Sequence, residues 1–225
     1  MKRTPRQAAR AETKRLKHML RFERELWSAG LIHVAGVDEV GVGPLAGPVV
    51  AAAAILPVGR SFLGINDSKK LTEKQREALA AELREHATAW ALGSASEAEI
   101  DHINILQASR LAMKRAVEAL ALQPQHLLID ARDIDLPLPQ TGIIKGDALS
   151  QSIAAASILA KVHRDALMDH YAKTYPDYGF EMHRGYPTPK HLAALMKLGP
   201  CPIHRRSYAP VKKALRPRQD LLPGV

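Results

Sequence analysis

The 225-residue chain has one cysteine, Cys201, so it can form no internal disulfide, and a lone thiol fits a reducing compartment. Aromatic residues are only 4% of the sequence, which leaves a core built from Ala, Leu, Ile and Val; the 46% apolar fraction supplies enough of them. No apolar run reaches bilayer-spanning length. The start, MKRTPRQAAR, is basic but lacks the apolar stretch of a secretion signal. A soluble, cytoplasmic protein is expected. There is no Cys/His cluster of the kind that binds zinc, no internal repeat and no low-complexity tract. The length suits one large domain, or one domain with a small appendage.

The net charge is +9, and it is unevenly spread. Residues 1–24 carry nine Lys/Arg against two acids, residues 205–220 carry six against one, and the stretch between is slightly acidic. Basic ends point to a polyanionic partner, nucleic acid before anionic lipid. Aid to solubility explains the charge alone equally well.

Thr4-Pro5 reads as a helix start and Gly30 as a stop, with Leu16, Met19, Leu20, Glu23, Leu26 and Trp27 mostly on one face. Strands are expected over 32–37, 47–56, 87–95 and 126–130, with another ending near Lys145. The run AAAA in the second would favour helix by propensity. Pro48-Val49-Val50 before it and Pro57 after it argue for a closely packed strand. Thr72 and Gln75 form a capping box for a helix over about 73–86. Further helices are expected over 103–120, about 148–173 and after Pro189. This order predicts an α/β fold with a mixed sheet covered on both faces.

Four acids stand at strand ends. Asp38 and Glu39 follow the apolar run HVAGV, Asp130 ends HLLI, and Asp147 follows IIKG. Singly, such residues are usually turns or helix caps, and Asp147 suits a cap. Asp38 and Glu39 resist that reading, because adjacent strand residues point to opposite faces. Either a bulge lets both act together, or one acts through its backbone. Converging on one sheet edge, the four would repel one another and take up protons. Mg²⁺ or Mn²⁺ would relieve this, since both prefer oxygen ligands. Two such ions can promote phosphodiester cleavage. Gly41, Gly43 and Gly47 keep the next turn open for a sugar-phosphate to approach. The spacing G-x-G-x-x-x-G, with Pro48 where a helix should begin, speaks against a dinucleotide loop.

Eight stretches in order resemble the bacterial type 2 ribonuclease H family, ribonuclease HII. They are GVDEVGVGPLAGPVVAAAAIL, INDSKKLTEKQRE, IDHINILQASRLAM, LLID, IIKGD, AAASILAKVHRD, YGFEMHRGYPTPKHL and HRRSYAPVK, spanning roughly 31–213. The resemblance implies a ribonuclease H-like fold: a five-stranded mixed sheet flanked by helices, with a C-terminal helical part. Residues 1–30 become a basic helical extension, too short for the extra N-terminal domain of ribonuclease HIII, 31–213 the catalytic domain, and 214–225 a basic flexible tail. It implies an endonuclease that cuts the RNA strand of RNA–DNA hybrids and nicks 5′ to ribonucleotides embedded in duplex DNA. The ends would be 3′-hydroxyl and 5′-phosphate.

By motif position, Asp38, Glu39, Asp130 and Asp147 become the metal-binding and catalytic acids, holding two Mn²⁺ or Mg²⁺ ions with substrate, Asp38 shared between them. Tyr186 matches a tyrosine that packs on the sugar beside the ribonucleotide. Gly41, Val42 and Gly43 become a 2′-hydroxyl-sensing loop; Asn66, Asp67, Ser68 and Lys69 form either a loop that holds backbone phosphate or a plain turn ahead of the capped helix. Ser157, Lys161 and Arg164 fall at i, i+4 and i+7 on one helix face, which either meets a phosphate track or is simply solvated. One departure is Val42 where the family has Arg, which removes a charge-assisted phosphate contact. Another is Ala131, where Gly is common. A monomer is expected, and the basic N-terminal helix is expected to add nonspecific duplex affinity. A junction-resolvase-like nuclease would cut all-DNA substrates instead, and a non-catalytic binder would be indifferent to Asp130→Asn.

Overall fold

A computed structural model of the chain describes residues 4–215. The elements run α1 (Pro5–Met19), α2 (Arg21–Ser28), β1 (Val34–Val40), β2 (Val49–Ile55), α3 (Glu73–His86), β3 (Ala89–Ala95), α4 (Glu97–Glu118), β4 (His126–Asp130), β5 (Gln140–Ile143), α5 (Gly146–Leu149), α6 (Gln151–Thr174), α7 (Phe180–His183), α8 (Pro189–Leu198) and α9 (Ala209–Leu215). The five strands form one mixed sheet ordered β3-β2-β1-β4-β5. β1 is antiparallel to β2 and parallel to β4, and β4 is parallel to β5.

Helices cover both faces, and alanine explains how. Ala52 and Ala54 face the core shared with α6, while Ala51 and Ala53 face the core shared with α4. Residues this small let a helix approach each side, and tertiary packing overrides their helix propensity. The closest approaches need glycine. A Cβ on Gly36 of β1 would sit 2.0 Å from the Ser152 carbonyl carbon of α6, and one on Gly93 of β3 would sit 2.3 Å from the Ala112 oxygen of α4.

Helix ends follow local chemistry. Thr4 with Gln7 and Thr72 with Gln75 form capping boxes. α4 starts earlier than expected, because Ser96 and Glu99 form a third box. Two hydrogen bonds from Arg115 to Glu99 hold that carboxyl down at about 2. Inside α4, Asn104 has a left-handed φ of 67°, and its Oδ1 accepts from the Leu106 and Gln107 amides. The helix expected over 148–173 is two, α5 and α6, parted by extended Ser150.

The N-terminal helices are anchored by a buried acid. Glu23 Oε1 accepts from Ser150 Oγ at 2.6 Å and from the Ser152 amide at 2.9 Å, placing its carboxylate at the N-terminus of α6. The tail expected from 214 begins inside α9; from 216 on it lies outside the described residues.

Candidate active site

The parallel pairing of β1 and β4 brings two of the acids together. Val37 pairs with Ile129, so Asp38 and Asp130, one residue further along each strand, emerge side by side at the same sheet edge. The pairing with β2 stays regular through Asp38 and Glu39, opposite Ala52 and Ala51. No bulge forms, so the two side chains take opposite faces. Asp38 turns toward α6 and Ser157, whereas Glu39 turns toward α4, 3.6 Å from Arg132 and facing the buried Ser109 hydroxyl. Asp147 enters from α5, and Asp130 Oδ1 accepts from the Gly146 amide at 2.7 Å.

Electrostatics reports the crowding. Burial, then Glu39 and Asp130, pushes the Asp38 carboxyl well above its usual range. Burial also raises Glu39, with Asp130 adding and Arg132 opposing. Asp147 is raised by burial, then by Asp67 and Asp130. Lys69 Nζ lies 3.7 Å from Asp147. Burial of Lys69 opposes its charge, but Asp147 and the other nearby acids win and raise its pKa. Among the described residues no three His, Cys, Asp or Glu side chains close into a ready-made metal cage. The donor set is all carboxylate and mutually repelling, which fits hard divalent cations that keep several waters rather than a full protein cage.

Beside the acids, two buried guanidiniums organise the glycine loop. Arg164 donates to the carbonyls of Pro48, Ala46 and Arg184 at 3.0–3.1 Å. Arg205 donates to those of Gly47, Val42 and Gly41 at 2.9, 3.1 and 2.5 Å, and Tyr208 Oη also donates to Val42. Both arginines are 0% exposed. Burial and its neighbour Arg205 bring Arg164 down to about 10, still protonated at neutral pH. With these carbonyls drawn inward, the Val42 and Gly43 amides donate to no acceptor among the described residues.

Tyr186 lies over this loop, its ring 3.5 Å from where a Gly43 Cβ would be. A histidine chain holds its backbone. The Cys201 amide donates to His204 Nδ1, which places the proton of His204 on Nε2. That nitrogen meets His191 Nε2 at 3.1 Å, and His191 Nδ1 therefore donates to the Tyr186 carbonyl at 2.9 Å.

The expected phosphate track is corrected in part. Arg164 is wholly buried and committed to carbonyls, and Ser157 is 5% exposed with its hydroxyl 3.0 Å from that of Ser68. Lys161 is paired with Asp165 at 2.6 Å. The i, i+4, i+7 pattern is real, but this part of α6 lies against the sheet and the loop. Ser68 is likewise buried; Asn66 is half-buried and Lys69 exposed. Sequence reasoning missed Arg205, Arg132 and Ser109. Arg205, counted only among the basic residues of 205–220, lies between Ile203 and Tyr208, whose apolar character could have signalled burial.

A family model described as ribonuclease HII matches residues 35–211. The ribonuclease HII of Desulfitobacterium hafniense (strain Y51) is 57% identical over 93% of this chain and 81% of its own length. That of Myxococcus xanthus (strain DK1622) is 57% identical over 92% and 71%. The crystal structure of the ribonuclease H2 from Pyrococcus horikoshii OT3 matches with a TM-score of 0.68 and 28% identity, covering 80% of this chain and 96% of that one.

Proposed function

The chain belongs to the ribonuclease HII family, and from that premise we propose how its residues divide the work. It is an endoribonuclease, a hydrolase acting on RNA in RNA–DNA hybrids. The finer reading is a monomeric enzyme that also nicks 5′ to single ribonucleotides in duplex DNA, leaving 3′-hydroxyl and 5′-phosphate ends. The observation that carries it is a juxtaposition. Asp38, Asp130 and Asp147 gather where β1 and β4 end, with Glu39 on the other face of β1 but near enough to act on Asp38, beside a loop whose amides are free to read a sugar.

Asp38, Glu39, Asp130 and Asp147 would hold one Mg²⁺ or Mn²⁺ ion, or two with substrate in place. Such ions, when bound, stabilise developing charge on phosphodiester oxygens and lower the pKa of an attacking water. The chain's residues supply the rest. Burial and the neighbouring acids raise Asp38, Glu39 and Asp147, and a divalent cation held among them would offset their mutual repulsion. The Val42 and Gly43 amides are placed to donate to a 2′-hydroxyl, which only a ribonucleotide offers. The Tyr186 ring closes one side of that loop against the neighbouring sugar. Lys69, exposed and charged, is suited to a phosphate.

The test is a duplex carrying one ribonucleotide, incubated with and without divalent metal. A nick on the 5′ side of the ribonucleotide, dependent on metal and abolished by Asp130→Asn, is expected. Equal cleavage of an all-DNA duplex would refute the reading.

A further inference from the structure

The helices ahead of the sheet carry a charge pattern that the acids and the glycine loop leave unexplained. Arg6, Arg10, Lys14, Lys17, Arg21 and Arg24 follow one another at intervals of four, four, three, four and three residues. That is the period of an α-helix, so the six share one face. The hydrogen bonds from Leu20 N to Leu16 O and from Arg24 N to Leu20 O carry the period from α1 into α2. The opposite face, with Leu16, Met19, Leu20 and Glu23, is buried. Arg6, Arg10, Lys14, Lys17 and Arg24 are exposed, and none of the six meets a carboxylate among the described residues. Arg15, off this face, takes Glu12 instead.

Such an arrangement works against the helix that bears it. Like charges four residues apart destabilise a helix, and the first turn of α1 has no acid to complement its dipole. An external polyanion would remove both penalties. The stripe also has a fixed relation to the carboxylates. Arg21 Nη1 donates to the Leu149 carbonyl at 3.3 Å, and Leu149 closes the four-residue helix that bears Asp147. Arg15 Nη2 reaches the Ile65 carbonyl, just before Asn66. End to end, from Arg6 to Arg24, the six cations span roughly 27 Å at 1.5 Å per residue. That length matches about eight base pairs of duplex at 3.4 Å each. A lipid surface fits less well: a helix lying on a membrane needs large apolar residues beside its charges, and no large hydrophobic residue between 4 and 28 is exposed.

We propose that the Arg6–Arg24 stripe is a second duplex-binding surface, which tracks the phosphate backbone of a hybrid beyond the cleavage site. The proposal rests on the hybrid being the substrate. Its consequence is a dependence on duplex length: a hybrid long enough to reach the stripe binds more tightly than one that ends near the carboxylates.

The test uses the full chain with Asp130→Asn, so that binding is read without cleavage and independently of whether the wild type cuts. Fluorescence polarisation measures affinity for hybrids of about 10 and about 25 base pairs across a salt series in Mg²⁺, with and without Arg6→Gln, Arg10→Gln, Lys14→Gln and Lys17→Gln together. The expected result is a roughly tenfold or greater loss of the long-over-short preference, and a salt slope shallower by about three. Arg6→Lys and Arg10→Lys, which keep the charge, should retain the preference and guard against a folding artefact. The same preference and slope in the Gln variant would overturn the proposal. So would release of the Gln variant from phosphatidylserine vesicles with hybrid binding unchanged. Failure of the wild type to cleave hybrids would be a separate result, bearing on the activity and not on this surface.

Discussion

Gly41 and Arg164 compete for one space: a Cβ on Gly41 would fall 2.4 Å from Arg164 Nε and 2.9 Å from the Pro48 carbonyl that this nitrogen holds. Gly41 also has φ +97°, where a side chain is strained. Gly41→Ala therefore cannot be absorbed by a small shift. It should cost about 2 kcal/mol or more of stability by urea unfolding, and it should impair hybrid cleavage beyond that loss by turning the Val42 and Gly43 amides. Full activity in a stably folded Gly41→Ala protein would break the link between the buried arginines and the loop.

The acids should set activity against stability. Asp38 binds a proton more readily folded than unfolded, so its stabilising share is present below about pH 4 and is lost as pH rises through its raised folded value. At neutral pH without metal its charge opposes folding. Asp38→Asn keeps an oxygen for the Glu39 amide, which now donates to Asp38 Oδ1 at 2.8 Å. It should raise metal-free stability by about 1–2 kcal/mol while lowering cleavage roughly 10²-fold or more. Added Mg²⁺ should raise the melting temperature of the wild type more than that of the variant. A destabilised variant would mean that the carboxylate supports the fold.

The histidine chain carries the opposite pH dependence. Burial, then His191, depresses His204 to about 4. The unfolded chain takes up that proton first, so the stability is intact above about pH 6.5 and declines as pH falls toward 4, by up to ~3 kcal/mol. Melting temperatures of the wild type and His204→Asn between about pH 7 and pH 4.5 isolate the effect. The variant starts weaker and should lose less over that interval; parallel curves would remove His204 as the cause.

Val42 is half-buried against the α4-side core while its carbonyl is held by Arg205 and Tyr208. A longer side chain there has to leave the core and point to solvent, where a guanidinium can meet a phosphate. Val42→Arg should tighten binding to a single-ribonucleotide duplex by roughly tenfold at low salt. Unchanged affinity would show that the loop reads its substrate through the backbone alone.

Much of this was legible in the residues. The apolar run ending in Asp130 marked a strand end; the strand expected to stop before Asp38 runs on to Val40, and the parallel register of β1 and β4 sets Asp38 beside Asp130. Two alternating faces, each covered by a helix, account for the alanines of β2, which propensity alone would misplace. What misled was charge. Ser157, Lys161 and Arg164 have the spacing of a helix face, but spacing does not say which face is covered, and α6 turns Arg164 inward. The capping box at Ser96 was readable too; the positive-φ Asn104 inside the helix was not, because its φ 67°, ψ 163° is a conformation essentially confined to glycine.

That positive-φ Asn104 divides α4 into two pieces with different duties. The shorter one holds Asp101, whose carboxylate accepts from the Arg206 and Ser207 amides and so fastens the segment bearing Arg205. The longer one packs along β3 and β2. A seam of this kind lets one region open while its neighbour stays closed. In hydrogen exchange, amides 97–103 and 203–208 should form one cooperative unit that opens ahead of 105–118. The glycine loop would then slacken from the C-terminal side first, long before the sheet itself gives way.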